Sequence, residues 1–209
     1  MPRLLAFGCS FTIGVGLPDV YPSDTTPSNF AWPAVLGEML GYEVINNGVC
    51  AAGNTEIAAN ILRTEFKEDD ICVILWSHFI RFDYYTLRDD LTGSMQWGRN
   101  EFKNMLAKNP IDEDWWKEHN RVKNWLTINH IGLYLASKNI KFLHMLGILD
   151  DDTYPKPKLD FPNLLEDVKP VDFIIDRGLD ALKFPPGHPG LNSHRLIAQL
   201  FYDKLNSKR

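Results

Sequence analysis

Residues 4–16 read Leu4-Leu5-Ala6-Phe7-Gly8-Cys9-Ser10-Phe11-Thr12-Ile13-Gly14-Val15-Gly16. Four apolar residues in succession are what a strand buried on both faces requires, as in a parallel sheet. The run stops at a small residue, a thiol and a hydroxyl, with two glycines just beyond. A strand that ends this way delivers Ser10 to the edge of a sheet, ahead of a helix N-terminus.

Three more short β-rich runs follow, at residues 42–46, 71–76 and 140–145, beside the first at 3–7. Helical patterns separate them, which predicts parallel strands joined by right-handed crossovers. The expected fold is therefore α/β, a three-layer sandwich around a central, mostly parallel sheet. Residues 29–40 make a first crossover helix, with Pro33 tolerated in its opening turn. Asn54 or Thr55 caps a second helix through Ile57, Ala58, Ile61 and Leu62. A third runs from Asp112 to about Lys138 and ends at Asn139; Trp115, Val122, Leu126, Leu133 and Tyr134 trace one of its faces. The last, from Ser193 to about Leu205, turns Leu196, Ile197, Leu200 and Phe201 inward. Residues 83–111 are more than a plain crossover needs and read as a loop inserted over one edge, carrying Arg88, Asp89, Asp90, Trp97 and Arg99. A second loop, 149–169, is rich in proline and aspartate.

The chain of 209 residues suits one domain spanning 1–209, large enough to bury a core without disulfide or metal staples. The formal charge is −5 with no basic stripe, which argues against nucleic acid and anionic membrane as partners. No apolar run approaches the roughly 20 residues that span a bilayer, and no leader segment is evident. Cys9, Cys50 and Cys72 are odd in number and fit no zinc spacing, so reduced thiols in a cytoplasmic protein are expected. Neither a phosphate-cradling loop nor a dinucleotide fingerprint occurs, since Gly14 and Gly16 lack the spacing. No cofactor and no metal site is expected, and the oligomeric state is not encoded in any motif.

Ligands of open parallel sheets sit at the carboxyl ends of the strands. That rule selects Gly8-Cys9-Ser10-Phe11-Thr12, residues 46–50, residues 51–55, Trp76-Ser77-His78 and the Gly187-His188-Pro189 loop. A serine hydroxyl becomes a nucleophile when a histidine takes its proton. The oxyanion that develops needs fixed N–H donors, which backbone at small, tightly turned residues supplies.

These segments resemble the blocks of the SGNH (GDSL-like) hydrolases. Gly8-Cys9-Ser10-Phe11-Thr12 is similar to the first block, Gly-Asp-Ser in its usual form, with Cys9 in place of the aspartate. Residues 46–56, NNGVCAAGNTE, resemble the second block, in which Gly53 matches the oxyanion glycine. Residues 187–201, GHPGLNSHRLIAQLF, resemble the last block, which makes His188 the base. Residues 74–85, ILWSHFIRFDYY, stand where the third block belongs but lack its Gly-x-Asn. The resemblance implies a flavodoxin-like hydrolase fold and a serine esterase acting on a small acyl ester, plausibly acetyl, of a carbohydrate or similar alcohol. Ser10 would be the nucleophile and His188 the base; the Ser10 and Gly53 amides, with Asn54 or His78, would hold the oxyanion. The family's acid lies three residues before the histidine, where this chain has Pro185. A backbone carbonyl, Asp176 or Asp180 is left to orient the imidazole. Two other functions fit the same scaffold: a catalytically silent binding protein, or an acyltransferase. The partner expected is a small-molecule ester or glycan substrate, and the silent relative would bind a glycan or a protein through the same cleft.

Several residues also have ordinary structural readings. His194 at the start of the last helix caps or packs, and His78 is equally a satisfied histidine at a strand end. Cys9 is expected to be a buried or half-buried thiol, given its resemblance to the aspartate position, with a nucleophilic thiol as the alternative. Arg81 and Asp83 pair with each other or with another loop. The tryptophans Trp97, Trp115, Trp116 and Trp125 pack in the core for the most part, with a sugar-stacking surface as the alternative.

Overall fold

The computed structural model describes residues 1–20, 26–79, 81–85, 92–96, 112–147, 161–165 and 187–207. Five strands form one sheet: β1 (Arg3–Gly8), β2 (Glu43–Gly48), β3 (Ile71–Trp76), β6 (Lys141–Leu146) and β7 (Leu164–Leu165). Their order is β2-β1-β3-β6-β7, and every pairing is parallel. The chain steps from β1 to β2 in one direction, then back across β1 to β3. With right-handed crossovers, that reversal puts the helix after β1 and the helix after β2 on opposite faces. Accordingly α2 (Trp32–Leu40) packs with the last helix, α5 (Leu191–Asn206), while α3 (Asn54–Leu62) packs with α4 (Glu113–Ser137). The result is the expected three-layer α/β sandwich.

The central strands are apolar because both faces are covered: Leu4 to Phe7 and Ile71 to Trp76 are all buried. Strand β1 and the short helix α1 (Ser10–Ile13) meet at Gly8. A Cβ there would lie 2.7 Å from the Leu75 carbonyl oxygen and would overlap the Thr12 hydroxyl. Only glycine lets the strand end so close to its neighbour and turn at once into a helix. At the other end of β1, Arg3 grips Asp70 with two hydrogen bonds, Nε to Oδ1 at 2.8 Å and Nη2 to Oδ2 at 2.6 Å. This fork ties the start of β1 to the turn before β3. Deeper in the sheet, the buried His144 of β6 accepts from Trp76 Nε1 at 3.0 Å and pairs with the Pro162 carbonyl at 2.7 Å, which fastens the β7 segment.

Helix α2 begins three residues later than its pattern suggests. Asp19 accepts from the Ser28 hydroxyl and the Asn29 amide, and Ser28 Oγ accepts from the Phe30 amide, so this turn is held by side chains. The Trp32 amide then donates to Nδ1 of His194 on α5, 3.0 Å away. His194 does cap a helix, but a different one from its own. Helix α4 starts at its Asp112 cap, whose carboxylate accepts from the Trp115 amide at 2.7 Å. Asn139, at φ 55°, ends the turn beyond it.

Two expectations need correction. The inserted stretch is not simply loop: β4 (Arg81–Tyr85) and β5 (Thr92–Gln96) pair antiparallel as a separate two-stranded sheet. Helix α4 also lies the other way round. Trp115, Val122, Leu126 and Leu133 are exposed, whereas Asn120, Asn124, Trp125, Ile128, Ile131 and Leu135 are buried. Of the line traced from the sequence only Tyr134 packs against the core, because the buried face is a mixture of apolar residues with amides that bind backbone carbonyls near the site. Trp125 does pack inside, edge-on to Phe79 and beside Phe161, with centroid distances of 5.1 and 5.0 Å. Trp97, Arg88, Asp89, Asp90 and Arg99 lie outside the described residues. No helix among the described residues is long and apolar enough to cross a membrane.

Candidate active site

The strand order reverses at β1, so a crevice opens at the carboxyl ends of β1 and β3. Ser10 follows β1 there, as the first residue of α1 with Cys9 as its cap. His188 reaches the same place from the far end of the chain, in the loop just before α5. Its Nε2 stands 3.0 Å from Ser10 Oγ. When Nδ1 carries the imidazole proton, the hydroxyl donates to Nε2, the arrangement a general base needs. The Phe11 ring meets the imidazole edge-on, with centroids 5.1 Å apart at 75°, and limits how the ring can turn. Cys9 and Cys72 are buried and Cys50 is exposed, and none of the three is joined in a disulfide. Burial drives the Cys72 thiol well above its ordinary pKa, which keeps it protonated and inert.

The turn carrying Ser10 is braced from β2. Asn46 Nδ2 donates to the Thr12 carbonyl at 2.7 Å, and its Oδ1 accepts from the Gly48 amide at 3.0 Å. The Val49 amide closes back on the Gly8 carbonyl at 2.9 Å.

The second block is held differently from expectation. Gly53 is the N-cap of α3 and has no side chain to satisfy the helix's first amides. Asp83 of β4 does this from outside: its Oδ1 accepts from the Gly53 amide at 2.8 Å and its Oδ2 from the Glu56 amide at 3.0 Å. A Cβ on Gly53 would lie 2.6 Å from Asp83 Oδ2, so the glycine is what admits the carboxylate. Arg81 Nη1 also turns to this segment and donates to the Ala52 carbonyl at 3.2 Å. Arg81 and Asp83 thus clamp the start of α3 rather than each other.

Asn54 is buried, and its side chain is fully engaged. Its Nδ2 donates to the Ser77 carbonyl at 3.1 Å and to Asn124 Oδ1 at 2.7 Å, while its Oδ1 accepts from the Ser77 amide at 2.7 Å. Asn124 passes the connection on, donating to the Phe79 carbonyl at 3.3 Å and the Asn120 carbonyl at 2.7 Å. Asn120 in turn donates to the Phe79 and Arg81 carbonyls. Residues 77–81, which carry His78, are therefore held by α3 on one side and α4 on the other. Neither Asn120 nor Asn124 stands out in the sequence; they are two of several polar residues in a helix that also carries Lys117, Glu118, Arg121 and Lys123.

His78 is half-buried just past the end of β3, and burial, followed by the charge of Arg81, lowers its pKa to about 4. It is neutral near pH 7, with one ring nitrogen as donor. Of the expected site residues, Ser10 and His188 are brought together directly. The Gly53 amide and the Asn54 side chain are engaged within the protein. Pro185, Asp176 and Asp180, the positions bearing on the third member of a triad, lie outside the described residues. Among the described residues, no group of three or more His, Cys, Asp or Glu side chains is placed to hold a metal ion.

No protein-family model matches the chain. No curated protein matches it. Solved structures do match in shape. LAE5, an alpha/beta hydrolase enzyme from the metagenome of Lake Arreo, Spain, is 13% identical, with 95% of this chain and 92% of that one covered and a TM-score of 0.52. The acetyl xylan esterase Est2A from the rumen bacterium Butyrivibrio proteoclasticus is 15% identical over 99% of this chain, with a TM-score of 0.51. A carbohydrate esterase described as having divergent catalytic and non-catalytic binding functions is 16% identical over 100% of this chain, also at 0.51. The chain spans 64% and 65% of the length of these two carbohydrate esterases. At such identities the likeness is one of fold: the chain shares the α/β fold of these esterases and this hydrolase.

Proposed function

We propose that this protein is a serine esterase that removes a small acyl group, acetyl being the simplest, from a carbohydrate or similar alcohol. The observation that carries the reading is the 3.0 Å approach of His188 Nε2 to Ser10 Oγ at the strand-order reversal. Ser10 Oγ attacks the acyl carbon as its proton passes to His188, giving a tetrahedral intermediate. His188 returns the proton to the departing alcohol oxygen, and water then repeats the sequence on the acyl-enzyme. The Ser10 amide and the neutral His78 side chain serve the oxyanion. Asn54 acts by fixing the segment that bears His78, and the Gly53 amide joins the hole only where substrate displaces Asp83. The fold's likeness to carbohydrate esterases, an acetyl xylan esterase among them, supports this substrate class.

One observation favours a second reading, a silent binding protein on the same scaffold: the Asp83 carboxylate sits on the amide that an oxyanion would use. Labelling with a fluorophosphonate decides between them. The esterase reading expects a single adduct mapped to Ser10, lost in Ser10→Ala, and hydrolysis of p-nitrophenyl acetate that disappears in Ser10→Ala and His188→Asn. A folded Ser10→Ala variant with undiminished turnover, or wild type with no adduct and no turnover, overturns it. Product analysis with competing alcohols separates hydrolysis from acyl transfer.

A further inference from the structure

The outer face of α4 carries an apolar stripe that stands exposed among the described residues. Trp115, Val122, Leu126 and Leu133 are 59%, 45%, 42% and 51% exposed. Exposed histidines fill the gaps: His119, whose ring stacks on Trp115 with centroids 5.1 Å apart, and His130. The spacing 115, 119, 122, 126, 130, 133 runs in steps of four, three, four, four and three, the pattern of a helix seam that meets another helix. Singly exposed apolar residues are ordinary on a protein surface, but four large ones in a single line mark a contact.

We propose that this stripe is a self-association surface, on which α4 of a second copy of the chain lies antiparallel. Two features of the sequence select that occupant. The first is symmetry about residue 124. Turned end for end on a twofold axis there, Trp115 meets Leu133 of the second copy, Val122 meets Leu126, and His119 and His130 come within one residue of each other's level. A surface that matches its own reversal is what a twofold dimer requires. The second is charge. Helix α4 opens on Asp112, Glu113 and Asp114, and its far end is followed by Lys138 and Lys141. Antiparallel pairing brings each acidic start to a basic end, with the helix dipoles also opposed; parallel pairing would set acid against acid. The stripe from Trp115 to Leu133 is about 27 Å long at the α-helical rise.

Sedimentation equilibrium of the full chain across the micromolar range tests this. Wild type is expected to pass from monomer to dimer as concentration rises, and Leu126→Glu or Val122→Glu to weaken the dimer roughly tenfold or more. Both positions are exposed, so the variants should keep the wild-type melting temperature. Orientation is read in a Cys50→Ser background by mixing Val122→Cys and Leu126→Cys chains. The antiparallel seam oxidises preferentially to the 122–126 heterodimer, whereas a parallel one would favour 122–122 and 126–126. Wild type that stays monomeric throughout, or a dimer indifferent to both glutamates, overturns the proposal. So does a monomer that loses thermal stability in Leu126→Glu, because the stripe is then covered by the chain itself.

Discussion

Replacing Asp83 tests how the second block is held. In Asp83→Ala the carboxylate that accepts from the Gly53 and Glu56 amides is gone, and both amides stand in the first turn of α3. A hydrogen bond to a charged group contributes about 1.5–3 kcal/mol, and loss of a helix cap costs about 0.5–2 kcal/mol. Asp83 is itself buried, so water cannot readily take its place, but the two bonds share one carboxylate and do not add in full. The expected loss is about 3 kcal/mol, read from urea unfolding at neutral pH. For a chain of this length it corresponds to a fall of roughly 6–12 °C in Tm. Asp83→Asn should lose less, about 1–2 kcal/mol, since its amide oxygen can still accept one bond while its NH2 opposes the other donor. Gly53→Ala supplies the internal control. Its Cβ must displace the carboxylate, so its cost in wild type should shrink in the Asp83→Ala background. An Asp83→Ala protein within about 0.5 kcal/mol of wild type, a surface-like value, would refute the clamp.

Two further predictions concern buried imidazoles. Because the folded His78 titrates near 4 and an unfolded histidine near 6.5, the unfolded chain binds the extra proton between those values. Stability therefore falls as pH drops from about 6.5 to 4 by up to about 1.4 kcal/mol per unit, and His78→Gln should flatten that slope in urea titrations; an unchanged slope removes His78 as its source. In His194→Ala the Trp32 amide loses its acceptor and a fully buried ring leaves a void, so a loss of about 3 kcal/mol is expected in the same assay, and a cost below about 1 kcal/mol would show that the cap is dispensable.

The strands and the placement of Ser10 at the end of β1 were legible in the chain for a common reason: both are local. The Leu4–Phe7 run states its own burial, and Gly8 announces the tight turn because no side chain fits between Leu75 O and Thr12. Pairing Ser10 with His188 was legible too, since the carboxyl-end rule gathers loops however far apart they lie in sequence. What stayed hidden is the polar scaffold. Asp83 caps a helix that starts thirty residues before it, and Asn120 and Asn124 serve carbonyls about forty residues away. An Asp or Asn has the same composition signature whether it faces water or satisfies a buried polar group, so periodicity drew attention to the apolar line from Trp115 to Leu133 and gave no sign of those asparagines. The inner face of α4 holds Asn120 and Asn124, which bind the carbonyls beyond β3, together with the apolar Trp125, Ile128, Ile131 and Leu135, and a second set of apolar residues is left on the outer face. The outward stripe and the inward amides make different demands on substitution. Asn124→Leu should loosen residues 77–81 through Asn54 and destabilise the monomer, whereas Leu126→Glu, two residues on, should leave the monomer intact and act only on association. Unfolding and sedimentation measured on the same two variants separate the effects. If both variants alter both quantities alike, α4 does not divide its work between two faces.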